Sequence, residues 1–227
     1  MSFTESRWLY LTAFLGGMVS LGVELAASRL LAPFFGESLP VWAAVIGLIL
    51  LYLTVGYFLG GRWADRSPHP ATLYEIAVWG AWLVGPVPFV ARPVLLLAAK
   101  GIARLNLPLT VGPFVAVLLL FAAPVTLLGC LSPFVIRLLV DRVERTGGVA
   151  GRVYALSTKG SLLGVYLTVF GLIPALGTRN TFVVLSLALL LPALVGLARA
   201  PPRSAGLCLG KPLKVLARSG WARGRAG

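Results

Sequence analysis

The chain has 227 residues, of which 58% are hydrophobic and 12% are charged, and its formal net charge is +13. Soluble domains carry about 25% charged residues, so this composition excludes a soluble enzyme of this length, a disordered chain and a disulfide scaffold. Two cysteines, Cys130 and Cys208, and one histidine, His69, cannot build a zinc or iron–sulfur site alone, and no metal or cofactor is expected.

Apolar runs of about 20 residues, the length that crosses a bilayer as a helix, predict an all-α integral membrane protein with about six transmembrane helices. In chain order the predicted spans are residues 8–31, 41–61, 72–90, 109–128, 150–172 and 181–197. Residues 92–104 contain three cations and are predicted to form a short helix at the membrane surface. Residues 132–145 are predicted to extend the fourth helix, which Pro124 and Pro133 would bend.

The distribution of Lys and Arg predicts that both termini lie on the cytoplasmic side of the plasma membrane. One side of the predicted bundle would carry Arg62, Arg66, Arg137, Arg142, Arg145, Arg152 and the seven cations of residues 199–227. The other side would carry Arg29, Arg92, Lys100, Arg104 and Arg179. Because cytoplasmic loops carry an excess of Lys and Arg, we expect an N-in, C-in protein.

Composition divides the chain into two parts. Residues 1–198 form the predicted membrane domain, whereas residues 199–227 are rich in Gly, Ala, Arg and Pro and contain no acidic residue. We expect this second part to be a short, basic and disordered tail that is attracted to anionic lipid. No nucleic-acid-binding fold accompanies the basic tail, so the expected partner is the lipid bilayer and not a nucleic acid.

Glu24 is the ionisable residue that stands out inside a predicted span. Gly16, Ser20, Glu24 and Ser28 recur every four residues, so they share a small, polar face of the first helix. A charged group at the centre of a membrane helix costs roughly 2.5–3.5 kcal/mol on insertion scales and calls for a partner or a role. Glu24 is therefore either a cation or proton site, or a structural carboxylate paired with Arg29 or with a neighbouring helix.

Two further polar features have structural explanations. Lys159 lies in the fifth predicted span, and its long stem is expected to reach the cytoplasmic interface. Gly61, Arg62, Asp65 and Arg66 follow the second span in a G-x-x-x-D-R pattern. This pattern is similar to the start of a cytoplasmic loop motif in major-facilitator transporters, although Ser-Pro-His-Pro follows it here in place of glycine and basic residues.

Two longer runs carry a more specific family resemblance. Residues 20–66 read SLGVELAASRLLAPFFGESLPVWAAVIGLILLYLTVGYFLGGRWADR, and residues 151–182 read GRVYALSTKGSLLGVYLTVFGLIPALGTRNTF. Together they resemble the membrane domain of transmembrane spermidine-synthase-like proteins, in which major-facilitator-like helices are fused to a spermidine synthase. The resemblance implies a fold like half of a major-facilitator transporter, and Lys159 departs from it because an apolar residue is typical there.

The resembled family normally continues into a soluble aminopropyltransferase domain, which transfers an aminopropyl group from decarboxylated S-adenosylmethionine to putrescine. Such a domain needs a glycine-rich turn and acidic residues, but no acidic residue follows Arg199, so no catalytic residue can be assigned. The resemblance implies the membrane portion of such a protein, either truncated or frameshifted after about residue 199, or a membrane-only member. It would anchor or serve a catalytic domain that this chain lacks.

Two alternatives to that function remain open. The bundle could transport a small solute, a polyamine or a cation, as a six-helix unit or as a homodimer. It could also be a scaffold that transports nothing.

Overall fold

The computed structural model describes residues 3–105, 111–140 and 146–200, and every regular element in these ranges is helical. The elements are α1 Phe3–Phe35, α2 Leu39–Arg66, α3 Pro70–Val84, α4 Val87–Leu105, α5 Val111–Leu139, α6 Thr146–Tyr166, a π-helical turn Leu167–Leu172 and α7 Ile173–Arg199. The all-α prediction is confirmed. Arg142, Arg145 and the predicted disordered tail beyond residue 200 lie outside the described residues.

Proline and glycine set the helix boundaries. Gly36 follows α1 with a φ of 75°, a left-handed conformation that glycine adopts at little cost. Pro40 and Pro70 occupy the first turns of α2 and α3, where a missing N–H costs nothing because it would have no partner within the helix. These residues keep the connections between α1, α2 and α3 short.

The third predicted span differs most from the structure. It was expected to continue to residue 90, but α3 ends at Val84 and a second helix, α4, begins at Val87 with a bend of 53° between them. Pro86 lies at the break and cannot donate a backbone hydrogen bond. The predicted surface helix of residues 92–104 is therefore the later part of α4, whereas α5 continues through Pro124 and Pro133 to Leu139.

Four stretches of the described residues are long and apolar enough to cross a membrane: Glu5–Phe35, Leu39–Arg66, Val111–Leu139 and Thr146–Arg199. The bent pair Pro70–Val84 and Val87–Gly101 qualifies as a fifth if it is counted as one span. The chain is thus a helical membrane protein with four or five candidate spans, and the predicted number of six is not confirmed by this criterion.

Contacts along α1 give the direction of α7. The Arg199 guanidinium lies 4.8 Å from the centroid of the Trp8 ring, and Leu185 packs against Gly22. Residue numbers therefore rise along α1 as they fall along α7, so the two helices are antiparallel. We call the end of the bundle where α1 begins and α7 ends the basic end, because Arg7 and Arg199 lie there.

Helix α6 runs the other way and is parallel to α1. Gly160 packs against Phe14, and Thr168 packs against Gly22. The chain therefore reverses direction between α6 and α7. Gly177 is the non-helical residue in this stretch, with φ 75° and ψ 162°, and it marks the reversal.

Two glycine-lined interfaces build the centre of the bundle. A Cβ on Gly160 or Gly164 of α6 would collide with the backbone of Phe14 or Met18 on α1. A Cβ on Gly56 or Gly60 of α2 would collide with the backbone of Thr126 or Cys130 on α5 in the same way. Small residues at four-residue spacing allow such close approach of helix backbones.

The α1–α6 and α2–α5 interfaces have equivalent glycine-to-backbone contacts. The α1 residues at the interface have counterparts 112 positions later on α5, as Phe14 and Met18 have in Thr126 and Cys130. Each α6 residue has a counterpart 104 positions earlier on α2, as Gly160 and Gly164 have in Gly56 and Gly60. The connection from α1 to α2 reverses the chain, and α2 is parallel to α5, so the two copies have opposite orientations.

Candidate functional site

A cleft of about 550 Å³ opens at the end of the bundle opposite the basic end. It lies where the end of α1, the start of α2 and the junction between the π-helical turn and α7 meet. Its lining residues are Leu25, Ser28, Arg29, Gly36, Glu37, Val41, Trp42, Val169, Ile173 and Pro174. The lining is mostly apolar, with one cation, one carboxylate and one hydroxyl, which suits a small ligand that carries charge.

An ion pair lies at the rim of the cleft. Arg29 Nη1 donates a hydrogen bond to Glu37 Oε1 over 2.9 Å, and both side chains are 59% exposed. A pair this exposed contributes about 1 kcal/mol or less to stability. It joins the later part of α1 to the connection that leads into α2, at the mouth of the cleft.

Glu24 lies one helical turn deeper than Ser28, on the same face of α1. It is half-buried, and its carboxylate has no hydrogen-bond or ion-pair partner among the described residues. Arg29, which the sequence offered as its partner, is paired with Glu37 instead. The structure therefore does not contain the Glu24–Arg29 pair, and the assignment of Glu24 as a cation or proton site stays a prediction.

The other polar groups of the α1 face are satisfied by their own helix. The Ser28 hydroxyl donates to the Leu25 carbonyl, and the Ser20 hydroxyl donates to the Gly16 carbonyl, each over 2.8 Å. Neither hydroxyl holds the Glu24 carboxylate. The predicted face is thus a narrow polar line that starts at the cleft and leads into the bundle.

Sequence reasoning did not single out Thr168. This residue lies in the π-helical turn, is fully buried, and its hydroxyl has no hydrogen-bond partner among the described residues. Its neighbour Val169 lines the cleft. Single π-helical turns are frequent at functional sites, but the sequence gives no sign of a π-helical turn at this position.

Lys159 lies on α6, away from the cleft. Its side chain is exposed and has no ion-pair partner among the described residues. Because Cα–Cβ bonds tilt toward the start of a helix, and α6 begins at the basic end, the Lys159 stem extends in that direction. This geometry is compatible with the predicted reach to the interface.

The loop motif after the second span lies at the basic end. Asp65 accepts a hydrogen bond from Arg137 Nε over 2.9 Å, and the Arg62 guanidinium lies 4.0 Å from the centroid of the Phe58 ring. Gly61 faces open space, and Arg66 is exposed. The pairing of Asp65 with Arg137 could not be read from the sequence, because 72 residues separate the two positions.

The described part of the chain contains no group of three His, Cys, Asp or Glu residues that could hold a metal ion. The expectation of no resident metal or cofactor stays a prediction.

Comparison with known proteins gives one partial similarity. A stretch of 79 residues is 32% identical to the magnesium transporter ALR1 of Saccharomyces cerevisiae, and it covers 31% of this chain and 9% of that protein. The chain thus matches less than a tenth of the relative's length. No family model and no solved structure matches the chain. The length and apolar character of its helices identify an integral membrane protein.

Proposed function

We propose that this chain is a six-crossing membrane bundle that carries a small cation, with Glu24 as the carboxylate that binds the cation or a proton. The observation that carries the proposal is the half-buried Glu24 without a partner among the described residues, one turn below the cleft.

The directions of the helices support six crossings. The stretch Thr146–Arg199 has 54 residues and would be roughly 80 Å long as one straight helix, more than twice the hydrocarbon thickness of about 30 Å. Because α6 is parallel and α7 antiparallel to α1, this stretch crosses twice. Together with α1, α2, the bent α3–α4 pair and α5, it makes six crossings that alternate in direction.

The duplicated interface supports a fold like half of a major-facilitator transporter. In such halves, two sets of three helices are related by an inverted repeat, and substrates bind where the repeats meet. Here α1 corresponds to α5 and α2 to α6 in the two glycine-lined contacts. The remaining pair, α3 and α7, pack against each other through a hydrogen bond of 2.6 Å from Ser186 Oγ to the Ala81 carbonyl.

The depth of Glu24 argues for a functional role. Gly17 and Met18 lie at the glycine-lined contact between α1 and α6, and Glu24 lies roughly 10 Å further along α1. That is within the hydrocarbon core, whose half-thickness is about 15 Å. A carboxylate at this depth is costly unless it is paired, protonated or bound to a cation. The cleft, which Ser28 lines, would bring a cation to within one helical turn of Glu24 from one end of the bundle.

The kind of cation is suggested by two observations. The partial similarity to a magnesium transporter favours Mg²⁺, which keeps several waters and needs only one or two protein carboxylates. The second observation concerns the resemblance to spermidine-synthase-like membrane domains. All ten residues that line the cleft lie within the two runs that carry this resemblance, residues 20–66 and 151–182, which favours a polyamine.

The resemblance therefore defines a second candidate function. The bundle would be the membrane portion of a spermidine-synthase-like protein, and it would bring a polyamine to, or remove it from, an aminopropyltransferase domain absent from this chain. The carboxylates Glu24 and Glu37 suit either cation. In this second function the purified 227-residue chain has no aminopropyltransferase activity of its own, and measurable turnover would contradict it.

The test is uptake into proteoliposomes that contain the full chain, with Mg²⁺, spermidine and a proton gradient supplied in separate experiments. Glu24→Gln removes the charge that would hold the cation, so uptake of the transported species should fall at least roughly tenfold. Glu75→Gln is the matched control, because Glu75 is also half-buried but lies near the start of α3. Mg²⁺ uptake that depends on Glu24 would favour the transport of a small cation, whereas spermidine uptake that depends on Glu24 would favour the second candidate function.

Two results would contradict the proposal. The first is uptake by the Glu24→Gln protein at the rate of the unsubstituted chain. The second is the absence of uptake of all three species by a chain whose helical content in the vesicles is intact. The second result would favour the scaffold, which needs no transported species.

A further inference from the structure

A second groove lies at the basic end, on the opposite side of the molecule from the candidate cation site. It has a volume of about 570 Å³, runs along the start of α1 beside α6, and is lined by Arg7, Trp8, Tyr10, Leu11, Phe14 and Leu156. Neither the cleft nor the polar face of α1 contributes a residue to it. The groove is therefore independent of the proposed transport function.

The mouth of the groove is cationic. Arg7 lines it, and the Arg199 guanidinium lies over the ring of Trp8, which also lines it. Arg152 lies one turn before Leu156 on the same face of α6. All three arginines are exposed, and none has a carboxylate partner among the described residues. No carboxylate lines the groove, and Glu5 lies close enough to Tyr74 of α3 to interact with it electrostatically.

The floor of the groove is apolar. Leu11, Phe14 and Leu156 follow the arginines toward the middle of the membrane, and Trp8 and Tyr10 lie between the charged and the apolar parts. Aromatic rings prefer this level, at the boundary between headgroups and acyl chains. The order of charge, aromatic ring and apolar side chain matches the order of phosphate, glycerol and acyl chain in a phospholipid.

We propose that this groove is a binding site for an anionic phospholipid, with the lipid phosphate between Arg7, Arg152 and Arg199 and one acyl chain over Leu11, Phe14 and Leu156. The partner is a lipid and not a free phosphate, because the floor below the arginines is apolar and suits an acyl chain rather than a second polar group. Basic pockets between membrane helices bind acidic headgroups in this way.

Fluorescence quenching of Trp8 by brominated lipids tests the site in the full chain. The chain is placed in phosphatidylcholine vesicles in which one lipid in ten is brominated, either phosphatidylglycerol or phosphatidylcholine. The Trp8 contribution is the difference between the unsubstituted chain and Trp8→Phe. We expect brominated phosphatidylglycerol to quench Trp8 several times more strongly than brominated phosphatidylcholine. Equal quenching by the two lipids would overturn the proposal.

Charge substitutions locate the site. Arg7→Gln and Arg199→Gln should each lower the preference for the anionic lipid about fivefold, which corresponds to about 1 kcal/mol per cation. Arg62→Gln is the matched control, because Arg62 lies at the same end but over Phe58, away from the groove. An equal loss in the Arg62 variant would show a general attraction to the basic surface and would overturn the site.

Two further measurements distinguish loss of the lipid site from misfolding of the variants, and a lipid site from a site for free phosphate. The double variant Arg7→Lys/Arg199→Lys keeps both charges and must keep most of the preference, so its loss at intact helical content would contradict the proposal. Glycerol phosphate at millimolar concentration should leave the quenching unchanged. Displacement of the brominated lipid by glycerol phosphate would assign the groove to a soluble phosphate instead.

Discussion

The α1–α6 and α2–α5 interfaces have the same packing but different chemistry. Glycines in equivalent positions let the backbones touch in both. The counterpart of Glu24, 112 positions later, is Ile136, and the counterpart of Lys159, 104 positions earlier, is Val55. Ile136 is half-buried, as Glu24 is. The equivalent position on α5 thus holds an apolar residue, so the packing that the two interfaces share does not by itself call for a carboxylate.

The comparison also explains the two ends of the bundle. The counterparts of Arg137 and Asp65 are Leu25 and Val169. At the basic end the ion pair between Arg137 and Asp65 fills this position, whereas at the other end Leu25 and Val169 line the cleft. The two equivalent positions therefore differ in chemistry: one holds an exposed ion pair, and the other lines an apolar part of the cleft.

We expect the largest loss of cation uptake when Glu24 is replaced by the residue at the equivalent position of the α2–α5 interface. Glu24→Ile copies the residue that the second interface already contains. We expect cation uptake to be lost while the protein becomes no less stable, because an isolated charge costing roughly 2.5–3.5 kcal/mol in the membrane is removed. Uptake by proteoliposomes and thermal unfolding in detergent measure the two effects. A Glu24→Ile protein that unfolds more easily would show that the carboxylate is structural.

The next effect tests whether the packing of the interfaces is truly equivalent. Gly160→Ala and Gly56→Ala each place a methyl group against a backbone carbonyl of the facing helix, and we expect each to destabilise the bundle by about 1–3 kcal/mol. Thermal unfolding in detergent compares the two variants.

The matched control for the glycine substitutions is Gly47→Ala on α2. A Cβ on Gly47 would meet no atom within 4 Å. This substitution should therefore be neutral or slightly stabilising, since Ala favours helix more than Gly does. If only one of the two interface variants loses stability, the equivalence of the interfaces is wrong.

The smallest expected effect is at the ion pair that closes the basic end. Asp65→Asn removes one partner of a pair whose side chains are 46% and 69% exposed, so the loss of stability should be about 1 kcal/mol or less. Thermal unfolding at low and high salt measures it, and high salt should reduce the difference further. A loss of several kcal/mol would mean that the pair is buried against a partner in the membrane.

The sequence predicted the helices better than the contacts between them. Hydropathy located most spans because burial in lipid needs long apolar runs, but it missed the break at Pro86, where the apolar composition does not change. Glycine spacing indicated close packing without naming the facing helix. The pairs Arg29–Glu37 and Asp65–Arg137 form where helix ends meet in the folded bundle. No local sequence pattern predicts them.

The internal repeat is not visible in the amino-acid sequence. Gly17 and Gly129 are identical counterparts, as are Ser20 and Ser132, but most equivalent positions differ in residue type. Helix packing depends mainly on small residues at the contact, so the rest of each helix is free to diverge. Glu24 could be picked out as unusual, whereas its lack of a partner among the described residues is visible only in the folded chain.

Cation uptake by Glu24→Gln proteoliposomes, measured beside Glu75→Gln at equal amounts of folded protein, tests most directly whether Glu24 is the cation site. We expect the Glu24 variant to lose at least roughly nine-tenths of the uptake of Mg²⁺ or of spermidine while the Glu75 variant keeps it. Equal uptake by both variants would contradict the assignment of Glu24 as the cation site.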